Sequence, residues 1–164
     1  MPGYYFISGN PSPFGVFMDL KKARVIRWEV TVVEGDTLED IGGKLARKGI
    51  IKETDFTRLS TDKEFLENYG IDGPSLEGYL FPDTYRIPKG MKSEDVLGMM
   101  IERLRDQIGT ELYNRMAETD TDERSALTLA SIIEKEAALE GERPIISAVY
   151  HNRLKKGMRL QADP

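Results

Sequence analysis

Cysteine is absent from the 164-residue sequence, and histidine occurs once, as His151. These absences exclude a disulfide, a thiol nucleophile and a zinc site built from Cys and His, so we predict neither a metal nor a cofactor. A lone histidine is more often structural than catalytic, and we expect this of His151. The lack of cysteine suits a reducing cytoplasm and an exported bacterial protein equally well.

An excess of basic residues is also missing, since the net charge is −5. Without a basic stripe to neutralise phosphates, the chain is not expected to bind nucleic acid. No run of about 18 apolar residues occurs, so no segment is predicted to span a membrane, and no signal peptide is visible. Both ends look cut, so we expect a fragment whose anchor segment lies outside it.

Hydrophobic residues make up 40% of the chain and charged residues 31%, a balance typical of soluble globular domains. The clearest strand is the β-branched run at 25–33, and a shorter aromatic strand is predicted at 4–8. Helices are predicted at 14–22, 37–48, 52–69 in one or two pieces, from 93 onward, 123–139 and 142–157. The sequence therefore predicts an α+β fold, with a small α/β piece at 1–60 and a helical domain at 65–164.

One predicted helix carries the most informative carboxylate. Leu129, Ile132, Ile133 and Ala137 follow helical spacing and predict one buried stripe. Glu136 lies along that stripe, because it follows Ile132 by four positions and Ile133 by three.

Removal of a carboxyl group from water favours its neutral form and raises its pKa. A glutamate in that state can donate a proton near neutral pH, as cleavage of a glycosidic bond requires. Glu134 lies about 160° around the helix from Glu136, because each residue advances roughly 100°, so the two cannot act as a close pair. The residues alone leave an alternative open, in which Glu136 is half-exposed or paired with Arg or Lys.

Three motifs follow one another in the second half of the chain: EGYLFPDTY at 77–85, LASIIEKE at 129–136 and HNRLKKGMRLQADP at 151–164. Together they resemble the signatures of the YceG-like endolytic murein transglycosylases, also called the MltG family. Three long motifs in order are a specific signal. Ala162 is a mild departure, since the family commonly has Ser or Thr there, and the family continues beyond the residue that matches Pro164.

The resemblance implies that Glu136, the second glutamate of EKE, is the single catalytic acid and base. It implies cleavage of the β-1,4 bond between N-acetylmuramic acid and N-acetylglucosamine in peptidoglycan glycan strands. Glu136 protonates the leaving oxygen and then accepts the proton of the muramoyl 6-hydroxyl as that oxygen closes on the anomeric carbon. The product is a 1,6-anhydro end, and cutting of nascent glycan would terminate elongation.

Other motif residues are candidates for binding the glycan. They are Glu77, Tyr79, Asp83 and Tyr85 in the first motif, and Asn152, Arg153 and Gln161 in the third. Tyr79 and Phe81 are equally well explained as core anchors, and Arg153 as a partner in a structural ion pair. Glu134 is expected to support the catalytic glutamate without exchanging protons.

Residues 30–41 look like the start of a LysM-type module, in which a strand and a GDTL turn lead into a helix. The sequence thus predicts a partial LysM-like subdomain at 1–60 and a C-terminally incomplete YceG-like catalytic domain at 65–164. The LysM-like part either binds glycan or serves as a scaffold. The resemblance implies a single-pass protein of the bacterial inner membrane, with this part on the periplasmic or extracytoplasmic side and cell-wall synthases as candidate partners.

Two other functions stay open at this point. A peptidoglycan-binding or cell-wall assembly module would bind glycan strands without cutting them. A true hydrolase would need a second catalytic carboxylate about 5–10 Å from the first, and the sequence assigns none.

Overall fold

The computed structural model describes Tyr4, Ile7, 12–21 and 25–160. Within these residues the chain forms helices and two strands in the order α1 (Pro13–Lys21), β1 (Arg27–Thr31), α2 (Leu38–Arg47), α3 (Glu53–Ser60), α4 (Lys63–Asn68), β2 (Thr84–Pro88), α5 (Ser93–Glu118), α6 (Glu123–Glu136), a 3-10 turn (Glu140–Glu142) and α7 (Arg143–Lys155). The α+β class is confirmed as a mostly helical fold with a small antiparallel sheet. The strand predicted at 4–8 lies largely outside the described residues.

The two strands form an antiparallel pair in which Val30 lies opposite Tyr85. Val30 and Tyr85 point into the core, and the neighbouring positions point outward, as a period of two requires. The outward face is polar: the hydroxyl groups of Thr31 and Thr84 lie 3.0 Å apart. The pairing joins segments on either side of three helices, because α2, α3 and α4 lie between β1 and β2 in the chain.

Two compact units divide the chain, Met1–Gln107 and Ile108–Pro164. Unit 1 contains both strands and the first part of α5, and its fully buried side chains come from several elements: Leu45, Leu76, Ile87, Val96, Leu97, Met100 and Ile101. Four of these side chains, Val96, Leu97, Met100 and Ile101, belong to the first part of α5, which therefore packs into the core of unit 1. The predicted boundary at 60–65 does not coincide with this division, because the strand that pairs with β1 lies at 84–88.

Unit 2 has a much smaller core. Among its described residues, only Met116 and Tyr150 are buried hydrophobic side chains. The boundary between the units falls within α5, close to Gly109, whose φ of 69° and ψ of 164° interrupt the helix. A φ in this range is readily adopted only by glycine.

Candidate functional site

The first motif, 77–85, lies in unit 1, and its tyrosines are core residues. Tyr79 is 3% exposed and Tyr85 is 6% exposed. The Tyr85 hydroxyl donates a hydrogen bond to the Phe81 carbonyl oxygen at 2.5 Å, and burial raises the pKa of the Tyr85 phenol above its usual value. In this conformation the two tyrosines offer little surface to a ligand, which favours the core-anchor alternative for Tyr79.

Asp83 connects the motif to α5. Its carboxylate accepts a hydrogen bond from the Thr84 backbone N–H at 2.6 Å and another from Arg103 Nε at 2.7 Å. These two donors, the backbone N–H first, lower the pKa of Asp83 below its ordinary value. The Arg103 guanidinium also lies 5.9 Å from the centre of the Phe81 ring. Asp83 is therefore held as a carboxylate in a defined orientation.

Glu77 lies beside the turn that precedes α2. Its Oε2 accepts a hydrogen bond from the Leu38 N–H at 3.4 Å, a favourable position for an anion because the first N–H groups of a helix lack internal partners. Thr37 caps the same helix in a reciprocal capping box with Asp40. The backbone and side chains thus connect the first motif to the GDTL turn within unit 1.

The second motif forms α6 in unit 2, next to a groove between α6 and α7. The groove has a volume of about 430 Å³ and is lined by Ala130, Ile133, Glu134, Arg143, Pro144 and Ser147. Glu134 and Arg143 form an ion pair across it, with an N–O distance of 3.9 Å. Both side chains are at least half exposed, so the pair contributes little to stability.

Glu136 is exposed, which corrects the prediction that it lies on a buried stripe. Leu129, Ile132 and Ile133 are only half-buried, and no described residue of α6 is fully buried. The physical reason is that α6 packs mainly against one neighbour, α7, and a single helix cannot cover the whole width of an apolar stripe.

Glu136 is also the last residue of α6, whereas the sequence predicted a helix that continues to 139. Ala137 leaves the helix with φ −78° and ψ 113°. The N–H groups of Ala138 and Leu139 then donate to Glu142 Oε2 at 3.1 Å each. The side chain of Glu142 therefore replaces the helical carbonyls as the acceptor, and Glu136 stands where helix and turn meet.

The third motif continues from α7. His151 and Asn152 are exposed on the helix. Arg153 is half-buried, and its guanidinium donates a hydrogen bond to the Leu160 carbonyl oxygen. The backbone carbonyl of Arg153 accepts from the Met158 N–H at 2.9 Å. Arg153 therefore holds the segment after α7 against the end of that helix, and its partner among the described residues is a carbonyl rather than a carboxylate. Gln161 lies outside the described residues.

The structure thus groups the predicted residues by unit. Glu77, Tyr79, Asp83 and Tyr85 belong to unit 1, and Glu134, Glu136, Asn152 and Arg153 belong to unit 2. Sequence reasoning missed Arg103 and Arg143, which pair with motif carboxylates, because such long-range partners leave no local pattern.

No cluster of three or more His, Cys, Asp or Glu suited to a metal occurs in the part of the chain that the structure describes. None of the described helices is long and apolar enough to cross a membrane.

Comparison with known proteins agrees with the three motifs. The family model of the YceG-like family matches residues 1–164. A Bacillus subtilis protein named endolytic murein transglycosylase is 35% identical over 153 residues, covering 84% of this chain and 42% of that protein. A Streptococcus pneumoniae protein of the same name is 27% identical, covering 98% of this chain and 34% of that protein. The chain therefore spans less than half of the length of these relatives.

A solved structure agrees as well. The crystal structure of a yceG-like protein from Listeria monocytogenes aligns with a TM-score of 0.70 and 29% identity. The alignment covers 93% of this chain and 55% of that one.

Proposed function

Because the chain belongs to the YceG-like family, we propose that it is the part of an endolytic murein transglycosylase that carries the catalytic acid and base, Glu136. The observation that carries this proposal is the similarity to relatives named for that activity, over most of this chain. These relatives are more than twice as long as this chain.

Proton transfer by Glu136 is the proposed chemical step. The neutral carboxyl group gives its proton to the oxygen that links N-acetylmuramic acid to N-acetylglucosamine, as the bond from that oxygen to the anomeric carbon breaks. The carboxylate then takes the proton of the muramoyl 6-hydroxyl, whose oxygen forms the new bond to the same carbon. Glu136 ends the cycle protonated, and no water is consumed.

A single carboxyl group suffices for this reaction because the nucleophile belongs to the substrate. The position of Glu136 at the end of α6 leaves its carboxyl group accessible to a long glycan strand. In the proposal, the bound glycan itself covers this group and removes the water around it, which strengthens the interactions that it makes.

Further residues are proposed to hold the glycan. Asn152 is exposed on α7 and offers both amide donors and an acceptor for N-acetyl groups. Glu134, in its ion pair with Arg143, is proposed to support the α6–α7 groove. The remaining candidates for contact with the strand are Glu77, Asp83, Arg153 and Gln161, whereas the buried Tyr79 and Tyr85 are proposed to support the motif from the core.

We also propose the organisation that the sequence suggests, with a LysM-like part at 1–60 and the catalytic function in 65–164. The capped turn from β1 into α2 supports the first of these. In the cell, the protein is proposed to act on the extracytoplasmic side of a bacterial inner membrane, where murein lies. Its substrate there is nascent glycan, its cleavage terminates elongation, and cell-wall synthases are its proposed partners.

A second candidate function is a module that binds peptidoglycan without cutting it. The exposed side chain of Glu136 favours this candidate, because glutamates on protein surfaces are mostly exposed without having a catalytic role. The two candidates predict different products, and an experiment on purified strands separates them.

The test is digestion of purified glycan strands followed by mass spectrometry of the chain ends. We expect 1,6-anhydro ends with the unaltered chain and a loss of at least a hundredfold in Glu136→Gln, because general acid–base groups contribute roughly 10²–10⁴-fold to rates. Glu111→Gln is the matched control, since Glu111 is an exposed helical glutamate whose ion pair is with Arg115, at 3.4 Å. New reducing ends would indicate a hydrolase, and glycan binding without new ends would support the non-catalytic module.

A further inference from the structure

None of the residues that line a small pocket in unit 1 belongs to the motifs used above. Its volume is about 220 Å³, and the residues that line it are Tyr4, Trp28, Gly49, Ile50, Pro88, Lys89, Gly90 and Met91. Apart from Tyr4, they come from the start of β1, from the end of β2 and the residues just after it, and from the turn between α2 and α3. This pocket is called the Lys89 pocket below.

The ammonium group of Lys89 lies close to two aromatic rings. Its Nζ lies 5.4 Å from the centre of the Tyr4 ring and 5.7 Å from the centre of the Trp28 ring. Both distances are within the roughly 6 Å over which a ring face attracts a cation. The rings restrict where the charge of a long, flexible side chain can lie, and they do so at the edge of a concavity.

The backbone fixes the parts of the pocket to one another. The Ile26 N–H donates to the Tyr4 carbonyl oxygen at 3.0 Å, and the Lys89 N–H donates to the Ile26 carbonyl oxygen at 2.9 Å. The Tyr4 ring also lies directly over Gly90, where an added Cβ would be 2.5 Å from the ring. The aromatic walls and the cation are therefore built into the extended end of the sheet.

Among the described residues, no carboxylate lies within ion-pair distance of the Lys89 ammonium group. Glu29, the residue after Trp28, pairs instead with the guanidinium of Arg86, at 3.4 Å. A ring face attracts the cation without accepting a conventional hydrogen bond, and an ammonium group has three N–H donors. The remaining lining residues are Ile50, Pro88 and Met91, with apolar side chains, and two glycines whose only polar groups are those of the backbone. Such a site fits a small anionic end group with an apolar body.

The size of the pocket further restricts which ligands can fit. Pockets for drug-sized ligands have volumes of roughly 300–1,000 Å³, so a volume of about 220 Å³ accommodates a chain end rather than an oligosaccharide. A carboxylate end is favoured over a phosphate or sulfate because one ammonium group provides a single charge.

We propose that the Lys89 pocket binds the free carboxylate end of a short peptide with small aliphatic side chains. If the proposed function holds, this peptide is a stem peptide of peptidoglycan, and the identity of the ligand rests on that function. The α-carboxylate accepts hydrogen bonds from the Lys89 ammonium group, and the methyl side chains lie against Trp28, Ile50 and Met91.

Trp28 makes the test direct, because it is the only tryptophan in the chain and it lines the pocket. The full chain is titrated with acetyl-D-alanyl-D-alanine, with its C-terminal amide and with N-acetylglucosamine tetrasaccharide, and tryptophan fluorescence is recorded. We expect a saturable response to the free acid and at least tenfold weaker binding of the amide.

Two variants complete the experiment. Lys89→Gln should abolish the difference between acid and amide, whereas Lys92→Gln, an exposed lysine three positions away, should preserve it. Circular dichroism confirms that both variants are folded. The proposal is overturned if acid and amide bind equally, if Lys89→Gln binds as the unaltered chain does, if only the tetrasaccharide responds, or if no ligand responds.

The outcome is separable from that of the proposed function. Glu136 does not take part in this titration, and the fluorescence signal arises within unit 1. A chain that yields no anhydro ends but distinguishes acid from amide would refute the catalytic proposal and retain the peptide site. The converse result would refute the peptide site alone.

Discussion

Two adjacent glycines in α2 have different surroundings. A Cβ added at Gly42 would lie 2.7 Å from Cδ1 of Phe56, whereas one added at Gly43 would meet only the end of Arg47, at 4.0 Å. Phe56 is 3% exposed and cannot move into solvent without leaving the core. Gly42 is therefore required by packing, and Gly43 is not.

We expect Gly42→Ala to lower the free energy of unfolding by about 1–3 kcal/mol, the usual cost of forcing extra volume into a packed core. Gly43→Ala should raise it by roughly 0.5–1 kcal/mol, because alanine is the better helix former. Urea denaturation followed by circular dichroism measures both. Two variants with the same sign of change would contradict this account of the α2–α3 contact.

At the residue scale, the sequence indicates which residues carry the functional groups of the site, but not which groups surround them. The motif that contains Glu77 and Asp83 was visible in the sequence, but the N–H of Leu38 and the guanidinium of Arg103 that bind these carboxylates were not. Their partners lie 39 and 20 positions away, and nothing in a local pattern specifies contacts at such separations. The exposure of Glu136 was missed for a related reason, since periodicity predicts a stripe but not how much of it a neighbour covers.

The stability of the start of α2 is expected to depend on pH, because two carboxyl groups there have lowered pKa values. The Lys44 ammonium group, and then the Val33 N–H, lower the pKa of Asp36 below its ordinary value of 3.8. The hydroxyl and backbone N–H of Thr37 lower the pKa of Asp40 in the same way. A carboxyl group whose pKa is lower in the folded state stabilises that state above the unfolded pKa, and this contribution is lost as the pH falls through the folded pKa.

We therefore predict that Asp36→Asn reduces the loss of unfolding free energy that occurs as the pH falls. The unaltered chain should lose stability as the pH falls below about 4, and the variant should lose less over the same interval while being less stable at pH 7. Urea denaturation at several pH values provides the measurement, and Asp106→Asn, which removes an exposed carboxylate of α5, is the control. Parallel curves for Asp36→Asn and the unaltered chain would show that the contact with Lys44 does not stabilise the fold.

At the element scale, helix starts were predicted more accurately than helix ends. The cap at Thr37 and the start of α6 after Asp122 follow from side chains that accept hydrogen bonds from the first turn. The end of α6 depends instead on Glu142, which lies six positions beyond Glu136 and binds the N–H groups of Ala138 and Leu139. No cap or breaker in the sequence marks Glu136 as the last helical residue, so the predicted helix ran too far.

At the scale of the whole molecule, buried apolar surface is unevenly distributed. Nearly all buried hydrophobic side chains belong to unit 1, and the described part of unit 2 contributes Met116 and Tyr150. Several large apolar residues of unit 2 are instead at least 47% exposed: Leu112, Leu139, Ile145, Val149, Leu154 and Met158. Burial of apolar surface is the dominant favourable term in folding, so unit 2 has the weaker support for its helices.

This imbalance predicts different local stabilities, which hydrogen–deuterium exchange can measure helix by helix. Amide groups in α7 should exchange faster than those in α2, because local opening exposes less apolar surface where less is buried. Length alone predicts the opposite order, since α7 has 13 residues and α2 has 10. Equal or greater protection of α7 would mean that contacts other than buried side chains stabilise unit 2. Glu136 lies at the end of α6, and α6 packs on α7. Faster exchange in α7 would therefore mean that the proposed catalytic carboxyl group lies in the less stable part of the molecule.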